Sequence, residues 1–274
     1  TSSPTEGGGV VVIRGTDLGT FGELDLQWTG DFGVAQRSNW TILSHNHTHI
    51  VARVREGSGV NRNLKAFISG QSNPDGQLMW TYSAPRIDDI SPKSGPTVPD
   101  VRKGDETILT VTGSSFGFRG GSLYIDGVEC PVVTHTHTQI RCRIPSGMFE
   151  DRVVRFRNPD LVPEGVANGE MFRDERWSVT NASFSYDPPV VTGVDPSRPN
   201  AEGEPRLVIY GRNFGPFRTE AAVRVGSMEC LNATWSNDEQ IACALQRDRA
   251  GRKNLSVTVA EQTSYFSEVD FRVR

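Results

Sequence analysis

The sequence contains no long hydrophobic run. No segment reaches the roughly 18 apolar residues that a membrane-spanning helix needs, and no long run has the spacing of an amphipathic helix. Short apolar stretches are instead separated by turn residues, and the chain is moderately rich in glycine (28) and proline (16). This pattern is typical of an all-β protein. The length of 274 residues allows two or three domains.

The motifs of common enzyme classes are also missing. We find no Gly-x-Ser-x-Gly, no phosphate-binding loop ending in Lys-Ser/Thr and no His-Glu-x-x-His. A basic stripe is absent too, since 29 basic and 33 acidic residues are interspersed and give a net charge of −4. We therefore expect no catalytic residue, no cofactor and no nucleic-acid partner.

The four cysteines contain no Cys-x-x-Cys element, which weakens a zinc or thioredoxin-like interpretation. They fall into two local pairs, Cys130 with Cys142 and Cys230 with Cys243. Such pairs predict two disulfides and an oxidising compartment. The alternative is four buried free thiols in a cytosolic protein.

Five asparagines stand in Asn-x-Ser/Thr sequons. They are Asn39, Asn46, Asn181, Asn232 and Asn254. Together with the paired cysteines they predict N-linked glycans and an extracellular or cell-surface location reached through the secretory pathway.

A repeat is visible along the chain. A β-branched strand is followed by Gly-x-[Asp/Ser/Asn]-[Phe/Leu]-Gly at residues 15–19, 113–117 and 211–215, so the three copies start 98 residues apart (15, 113 and 211). The glycines permit a positive φ in a tight turn. The apolar residue between them can fold back onto the core.

Other repeated elements follow each turn. A later strand reads Thr-Gln-Ile-Arg-Cys at residues 138–142 and Glu-Gln-Ile-Ala-Cys at 239–243; in the first repeat it reads Thr-His-Ile-Val-Ala at 48–52. Ala52 therefore stands where the other repeats have their second cysteine, and the first repeat is expected to lack the disulfide.

The second and third repeats resemble the IPT/TIG family of immunoglobulin-like domains. The resemblance depends on the proline-flanked opening strands that begin at Pro85 and Pro189, the glycine turns, the glycine shortly before the first cysteine, and the Ile-x-Cys strand. It implies an all-β chain of three tandem immunoglobulin-like β-sandwiches. The predicted domains are residues 1–84 (with a truncated first strand and no disulfide), 85–188 and 189–274.

Histidines alternate at His45, His47 and His49 and again at His135 and His137. Alternating histidines share one face of a strand and could bind zinc or copper. The third repeat has no such set at the same place, and we therefore favour exposed polar turns and predict no metal site.

The long loop of residues 157–179 belongs to the second repeat. Its apolar and basic residues are Phe172, Arg173, Arg176 and Trp177. Trp and Arg are enriched in protein interfaces. One hypothesis is that this loop contacts a neighbouring domain or subunit, and the other is that it folds onto its own sandwich.

The IPT/TIG resemblance implies a role through protein–protein contacts. We expect a glycosylated structural or adhesive repeat protein, either self-assembling as a subunit of a cell-surface filament or appendage, or adhering to a surface ligand. The alternative is the stalk of a plexin-like receptor ectodomain.

Overall fold

The structure is a computed structural model of the chain, which describes residues 2–20, 24–29, 35–57, 62–74, 78–99, 107–117, 120–158, 177–196, 206–217, 220–245 and 251–271. The regular structure in these ranges consists of strands alone, as predicted, and we number them β1 to β26. No helix in this described part is long and apolar enough to cross a membrane.

The chain divides into two compact units. Unit 1 comprises Thr1–Ser91, Thr110–Cys142 and Val154–Ala182, and unit 2 comprises Pro92–Leu109, Arg143–Val153 and Ser183–Arg274. The domain boundaries near residues 84 and 188 stay a prediction, and we use "repeat 1", "repeat 2" and "repeat 3" for the three predicted stretches of sequence.

Repeat 1 has two sheets. The first has the order β1 (Ser2–Ser3), β9 (Met79–Tyr82), β7 (Arg62–Ile68), β3 (Leu24–Thr29), β4 (Ala35–Arg37), with β8 (Gln71–Ser72) paired to β7. The second has the order β2 (Val10–Arg14), β6 (His49–Arg53), β5 (Thr41–Asn46). Strand β1 runs parallel to β9, and the second sheet is antiparallel.

Repeat 2 also has two sheets, and the sheet equivalent to β2, β6 and β5 contains one additional strand. That sheet has the order β10 (Arg86–Ser91), β12 (Ile108–Ser114), β16 (Gln139–Arg143), β15 (Val132–His135). The other has the order β11 (Ser94–Gly95), β18 (Ser183–Tyr186), β17 (Arg152–Arg157), β13 (Ser122–Ile125), β14 (Val128–Cys130). Strand β11 runs parallel to β18, as β1 does to β9.

Repeat 3 also has two sheets. One has the order β19 (Val190–Asp195), β20 (Arg206–Arg212), β24 (Gln240–Ala244), β23 (Leu231–Asn237). The other has the order β22 (Met228–Glu229), β21 (Ala221–Val225), β25 (Gly251–Val259), β26 (Gln262–Phe271).

The alternation of side chains along the strands explains these sheets. In β16, Ile140 and Cys142 are fully buried while their neighbours Gln139 and Arg141 are exposed. Because successive side chains of a strand point to opposite faces, one face packs against a core and the other meets water. Separate clusters of buried residues lie in repeat 1, around Ile50, and in repeat 3, around Ile209.

Candidate interaction sites at the repeat junctions

The repeated glycine turns have the same backbone in all three repeats. We call residues 15–19, 113–117 and 211–215 the plug turns. Their third residues adopt left-handed φ angles of 57° at Asp17, 61° at Ser115 and 61° at Asn213, and their last glycines have φ of 74°, 76° and 102°. Aspartate and asparagine tolerate this region better than most residues, which accounts for Asp17 and Asn213.

The first glycine of each plug turn has a different role from the one predicted, because it does not have a positive φ. A Cβ at Gly113 would collide with the carbonyl oxygen of Arg86, and one at Gly211 would collide with that of Val190. Both carbonyls belong to the adjacent opening strand. Glycine is therefore needed at positions 113 and 211 because the two backbones approach each other closely.

The apolar residue of each turn packs inward, as predicted. Phe116 and Phe214 are fully buried, whereas Leu18 is partly buried against the core of repeat 1. The amide of Phe116 donates to the His137 carbonyl, and that of Phe214 donates to the Asp238 carbonyl. The amide of Leu18 makes the matching bond to His47, so residues 47, 137 and 238 are equivalent.

The first junction contact joins repeat 1 to the plug turn of repeat 2 within unit 1. The Thr5 hydroxyl accepts a hydrogen bond from the Gly117 amide at 3.3 Å and lies 3.0 Å from Nδ1 of His137. Nε2 of the same histidine lies 3.7 Å from a carboxylate oxygen of Glu56. Thr5 is 1% exposed. A buried hydroxyl with two partners holds the two segments in one register.

The second junction contact joins repeat 2 to the plug turn of repeat 3 within unit 2. The Thr97 hydroxyl donates to Oδ1 of Asp238 at 2.6 Å, and the same oxygen accepts from the Gly215 amide at 2.9 Å. The amide of Thr97 donates to the Asn213 side chain at 3.4 Å, and that side chain donates to the Pro188 carbonyl at 3.0 Å. This is a charge-assisted version of the first contact.

The two junctions are equivalent in sequence as well as in geometry. Thr5 ends the segment Ser-Ser-Pro-Thr, whose first two residues form β1, and Thr97 ends Ser-Gly-Pro-Thr, whose first two residues form β11. Each threonine reaches the residue equivalent to 137 in the following repeat. Sequence reasoning did not find these threonines, although the repeated Ser-x-Pro-Thr was a usable signal.

A third contact within unit 2 links repeats 2 and 3. The side-chain amide of Gln262 donates to the Tyr186 carbonyl at 2.9 Å and to a carboxylate oxygen of Glu150 at 3.2 Å. Gln262 is 8% exposed. Two bonds from a buried amide nitrogen satisfy both of its hydrogens.

The histidines act mostly as hydrogen-bonding partners of the plug turns. Nε2 of His135 donates to the Phe116 carbonyl at 3.1 Å, and Nε2 of His45 makes the equivalent bond to the Leu18 carbonyl. Within the ranges that the structure describes, no group of three or more His, Cys, Asp or Glu side chains could hold a metal ion.

The His135 environment predicts a pH dependence. Burial lowers the pKa of His135, the hydrogen bond to Phe116 opposes this, and nearby His137 lowers it further. The folded state therefore favours the neutral ring of His135. As the pH falls toward and below 6.5, the ordinary pKa of histidine, the unfolded chain binds more protons than the folded chain. We expect the free energy of unfolding of repeat 2 to fall as the pH drops below about 7. Denaturant titrations at pH 7.5 and 5.5 measure this fall, which His135→Gln should reduce.

Both predicted disulfides are present. Cys130 is bonded to Cys142 and Cys230 to Cys243, with Cα atoms 5.5 and 5.7 Å apart. All four cysteines are buried. Cys130 is the last residue of β14 and Cys142 lies in β16 of the other sheet of repeat 2, whereas Cys230 directly precedes β23 and Cys243 lies in the neighbouring β24. The predicted pairing is confirmed.

The sequon asparagines all lie at the surface. Asn39, Asn46, Asn181, Asn232 and Asn254 are exposed. Asn46 accepts hydrogen bonds from the amides of Thr48 and His49 through Oδ1, which leaves its amide nitrogen directed away from those bonds. Exposure is the steric requirement for a glycan, and occupancy stays a prediction.

The predicted loop interface lies mostly outside the described residues. Phe172, Arg173 and Arg176 are not among the described residues, whereas Trp177 is the first residue of the described range 177–196. The Trp177 ring packs edge-on against Tyr124 of the same repeat, with centroids 5.4 Å apart. This contact ties the end of the loop to its own sandwich, and the interface hypothesis stays a prediction.

The fold and the junctions together define a class: tandem immunoglobulin-like β-sandwich repeats joined by short connections. A family model described as the IPT/TIG domain matches residues 85–186 and 189–273. The chain belongs to the IPT/TIG family.

Relatives and solved structures were also found. The chain is 28% identical to human Fibrocystin-L over 227 residues, which cover 80% of this chain and 5% of that protein. It is 29% identical to mouse Fibrocystin-L over 157 residues, or 56% of this chain and 3% of the relative. The extracellular region of plexin A4 aligns at 15% identity with a TM-score of 0.33, over 98% of this chain and 23% of that one. The chain thus spans a small part of the relatives it matches.

Proposed function

We propose that these repeats belong to an extracellular glycoprotein with a structural and adhesive role, exercised through protein–protein contacts and without catalysis. The observation that carries this proposal is the equivalent threonine contact at two successive junctions. Contacts of this kind fix each repeat against the next, which suits a spacer or scaffold better than flexibly tethered domains.

Two features support the extracellular location. The disulfides Cys130–Cys142 and Cys230–Cys243 are stable in oxidising compartments, and such bonds are rare in the cytosol. The five sequon asparagines are exposed, as a glycosylated surface requires. The proposal extends to assembly into a cell-surface filament, with IPT/TIG repeats as its units.

The test is electron microscopy of the native full-length protein taken from its source without denaturation. We expect ordered filaments or contacts between cell surfaces that contain the protein. Isolated membrane-anchored stalks that make no such contacts would contradict the structural role and favour a receptor ectodomain.

The junction contact has its own prediction. Thr97→Val keeps the shape of the side chain and removes the hydroxyl that donates to Asp238. Because hydrogen bonds to charged groups contribute about 1.5–3 kcal/mol, we expect a loss of about 1.5 kcal/mol at this junction. Amide hydrogen exchange at Gly215, whose N–H bonds the same carboxylate, measures the loss as faster exchange.

Thr134→Val is the matched control, since Thr134 lies exposed on β15. It should change stability by less than about 0.5 kcal/mol. Equal exchange rates at Gly215 in wild type and Thr97→Val would show that the threonine does not hold the junction.

A further inference from the structure

Arg155 and Arg157 lie on the outward face of one sheet of repeat 2. They alternate along β17 with Val154 and Phe156, which are fully buried. Because successive side chains of a strand point to opposite faces, both arginines point away from the core, roughly 7 Å apart along the strand. Within the ranges that the structure describes, neither arginine forms an ion pair. This part of the chain thus leaves two neighbouring guanidinium groups available for an anionic ligand.

Two aromatic side chains lie beside these arginines. Trp177 pairs with Arg157 on one side of β17, and Tyr124 pairs with Arg155 on the other. Neighbouring strands are about 4.8 Å apart, so the two backbones lie two strand spacings apart, whereas the ring centroids are 5.4 Å apart. The rings therefore extend toward each other over β17, on the face that carries the arginines. Both aromatic residues keep part of their surface exposed.

The backbone beneath this face is already paired. Strand β17 lies between β18 and β13, and β13 pairs in turn with β14. A ligand on this face is therefore recognised by side chains, and not by the addition of a strand to a sheet edge, which is how extended peptides bind to sheets. Guanidinium groups form paired hydrogen bonds with oxyanions, and aromatic rings pack against apolar surfaces such as the C–H face of a sugar. This combination fits a sugar that carries anionic groups.

The equivalent sheet of repeat 3 has different residues at these positions. Arg224 pairs with Ser256 as Tyr124 pairs with Arg155. A serine therefore replaces the arginine, and an arginine replaces the tyrosine. Because the same type of sheet forms without them, packing of the sandwich does not explain why repeat 2 has this tyrosine and this arginine.

We propose that Arg155, Arg157, Tyr124 and Trp177 form a binding surface for a sulfated polysaccharide. The guanidinium groups pair with sulfate groups, and the rings pack against the C–H face of the sugar. Sulfate complements the arginines because both groups stay ionised over the whole physiological pH range. The proposal rests on the extracellular location and the adhesive role proposed above, and it gives that role a class of ligand.

Binding of dextran sulfate to the 274-residue protein tests this surface, with unsulfated dextran as the ligand control. Dextran sulfate carries no carboxylate, so any difference between the two polymers belongs to the sulfate groups. We expect the wild type to bind dextran sulfate and not dextran in surface plasmon resonance. Arg155→Gln together with Arg157→Gln should weaken this binding at least about tenfold, because charge-assisted hydrogen bonds are the stronger ones.

Arg141→Gln together with Arg143→Gln is the matched control. These exposed arginines are also two residues apart on one strand, β16, but they lie in the other sheet of repeat 2, where Arg141 pairs with Thr134. The control removes the same net charge. It should change the affinity less than about twofold, because exposed charges farther apart than the Debye length, about 8 Å at physiological ionic strength, are largely screened.

Trp177→Ala tests the aromatic part of the surface without changing the net charge. We expect it to weaken dextran sulfate binding at least about threefold, since the sugar loses a ring to pack against. Thermal unfolding followed by circular dichroism checks that each variant is folded before its affinity is compared.

Absence of dextran sulfate binding by the wild type would overturn the proposal. Equal losses in the two double-arginine variants would overturn it too, because they would show an effect of net charge alone. Polyglutamate or phosphatidylserine vesicles that bind as tightly as dextran sulfate, and are lost in the Arg155→Gln, Arg157→Gln variant, would assign the surface to an acidic protein or a membrane instead. These outcomes leave the proposed function standing, whereas free thiols at the four cysteines of the native protein would contradict its extracellular location whether or not dextran sulfate binds.

Discussion

Phe116→Ala and Phe214→Ala are each expected to lower the free energy of unfolding of their repeat by about 3–5 kcal/mol, the range measured for buried phenylalanines. Both rings are fully buried. The Phe116 ring packs edge-on against Phe156 with centroids 5.2 Å apart, so truncation leaves a cavity and also removes an aromatic contact. Denaturant unfolding followed by circular dichroism measures the loss.

Leu18→Ala is the matched comparison in repeat 1. Leu18 occupies the same position of the plug turn but is only partly buried. Because Leu18 buries less apolar area on folding than the phenylalanines do, we expect its truncation to lower the free energy of unfolding by less than half as much. Equal losses at all three positions would contradict the view that the plug residue is buried more completely where an opening strand covers the turn.

Replacing both cysteines of one disulfide is the second large effect. For Cys230→Ala with Cys243→Ala, the bond closes a loop with a sequence separation of 13, for which the loop-entropy estimate is about 3 kcal/mol. Because both side chains are buried, the alanines also leave unfilled space and add to the loss. The drop in Tm, measured by calorimetry without reductant, reports the sum.

Reductant provides the control for this experiment. Wild-type protein should lose stability on reduction, and the doubly substituted protein should lose only the part that belongs to Cys130–Cys142. A doubly substituted protein as stable as the wild type would show that the disulfide does not stabilise repeat 3.

The sandwiches could be predicted because their signals are local. Alternating burial in β16 and β25 follows directly from alternating apolar residues. The plug turns were visible because glycine and a left-handed Asp, Ser or Asn recur at fixed spacing. The disulfides followed from two cysteine pairs with similar spacing.

The junction contacts could not be predicted from local patterns. Thr5 and His137 are 132 positions apart, and Thr97 and Asp238 are 141 apart. Nothing in the period of a strand indicates which residue of a following repeat a threonine will meet. The repeat alignment identified the equivalent positions of His47, His137 and Asp238 but not what they bind.

Repeat 1 shows another limit of sequence reasoning. Ala52 stands at the position of the second cysteine and is fully buried, as the alignment predicts. Strand register also shows which residue replaces the first cysteine. Ile42 pairs with Ala52 as Val132 pairs with Cys142, so Trp40, two residues before Ile42, is equivalent to Cys130. Trp40 is buried with its ring 4.9 Å from that of Trp80. In repeat 1 a large aromatic side chain therefore occupies the position where the other repeats have a disulfide. The spacing of the cysteines in the sequence did not reveal this replacement.

The most direct test of an extracellular glycoprotein is peptide mapping by mass spectrometry, without reduction, of the protein isolated from its native source. The account predicts peptides linked through Cys130–Cys142 and Cys230–Cys243, together with glycan mass on the sequon asparagines. Free thiols at these cysteines and unmodified asparagines at all five sequons would contradict it.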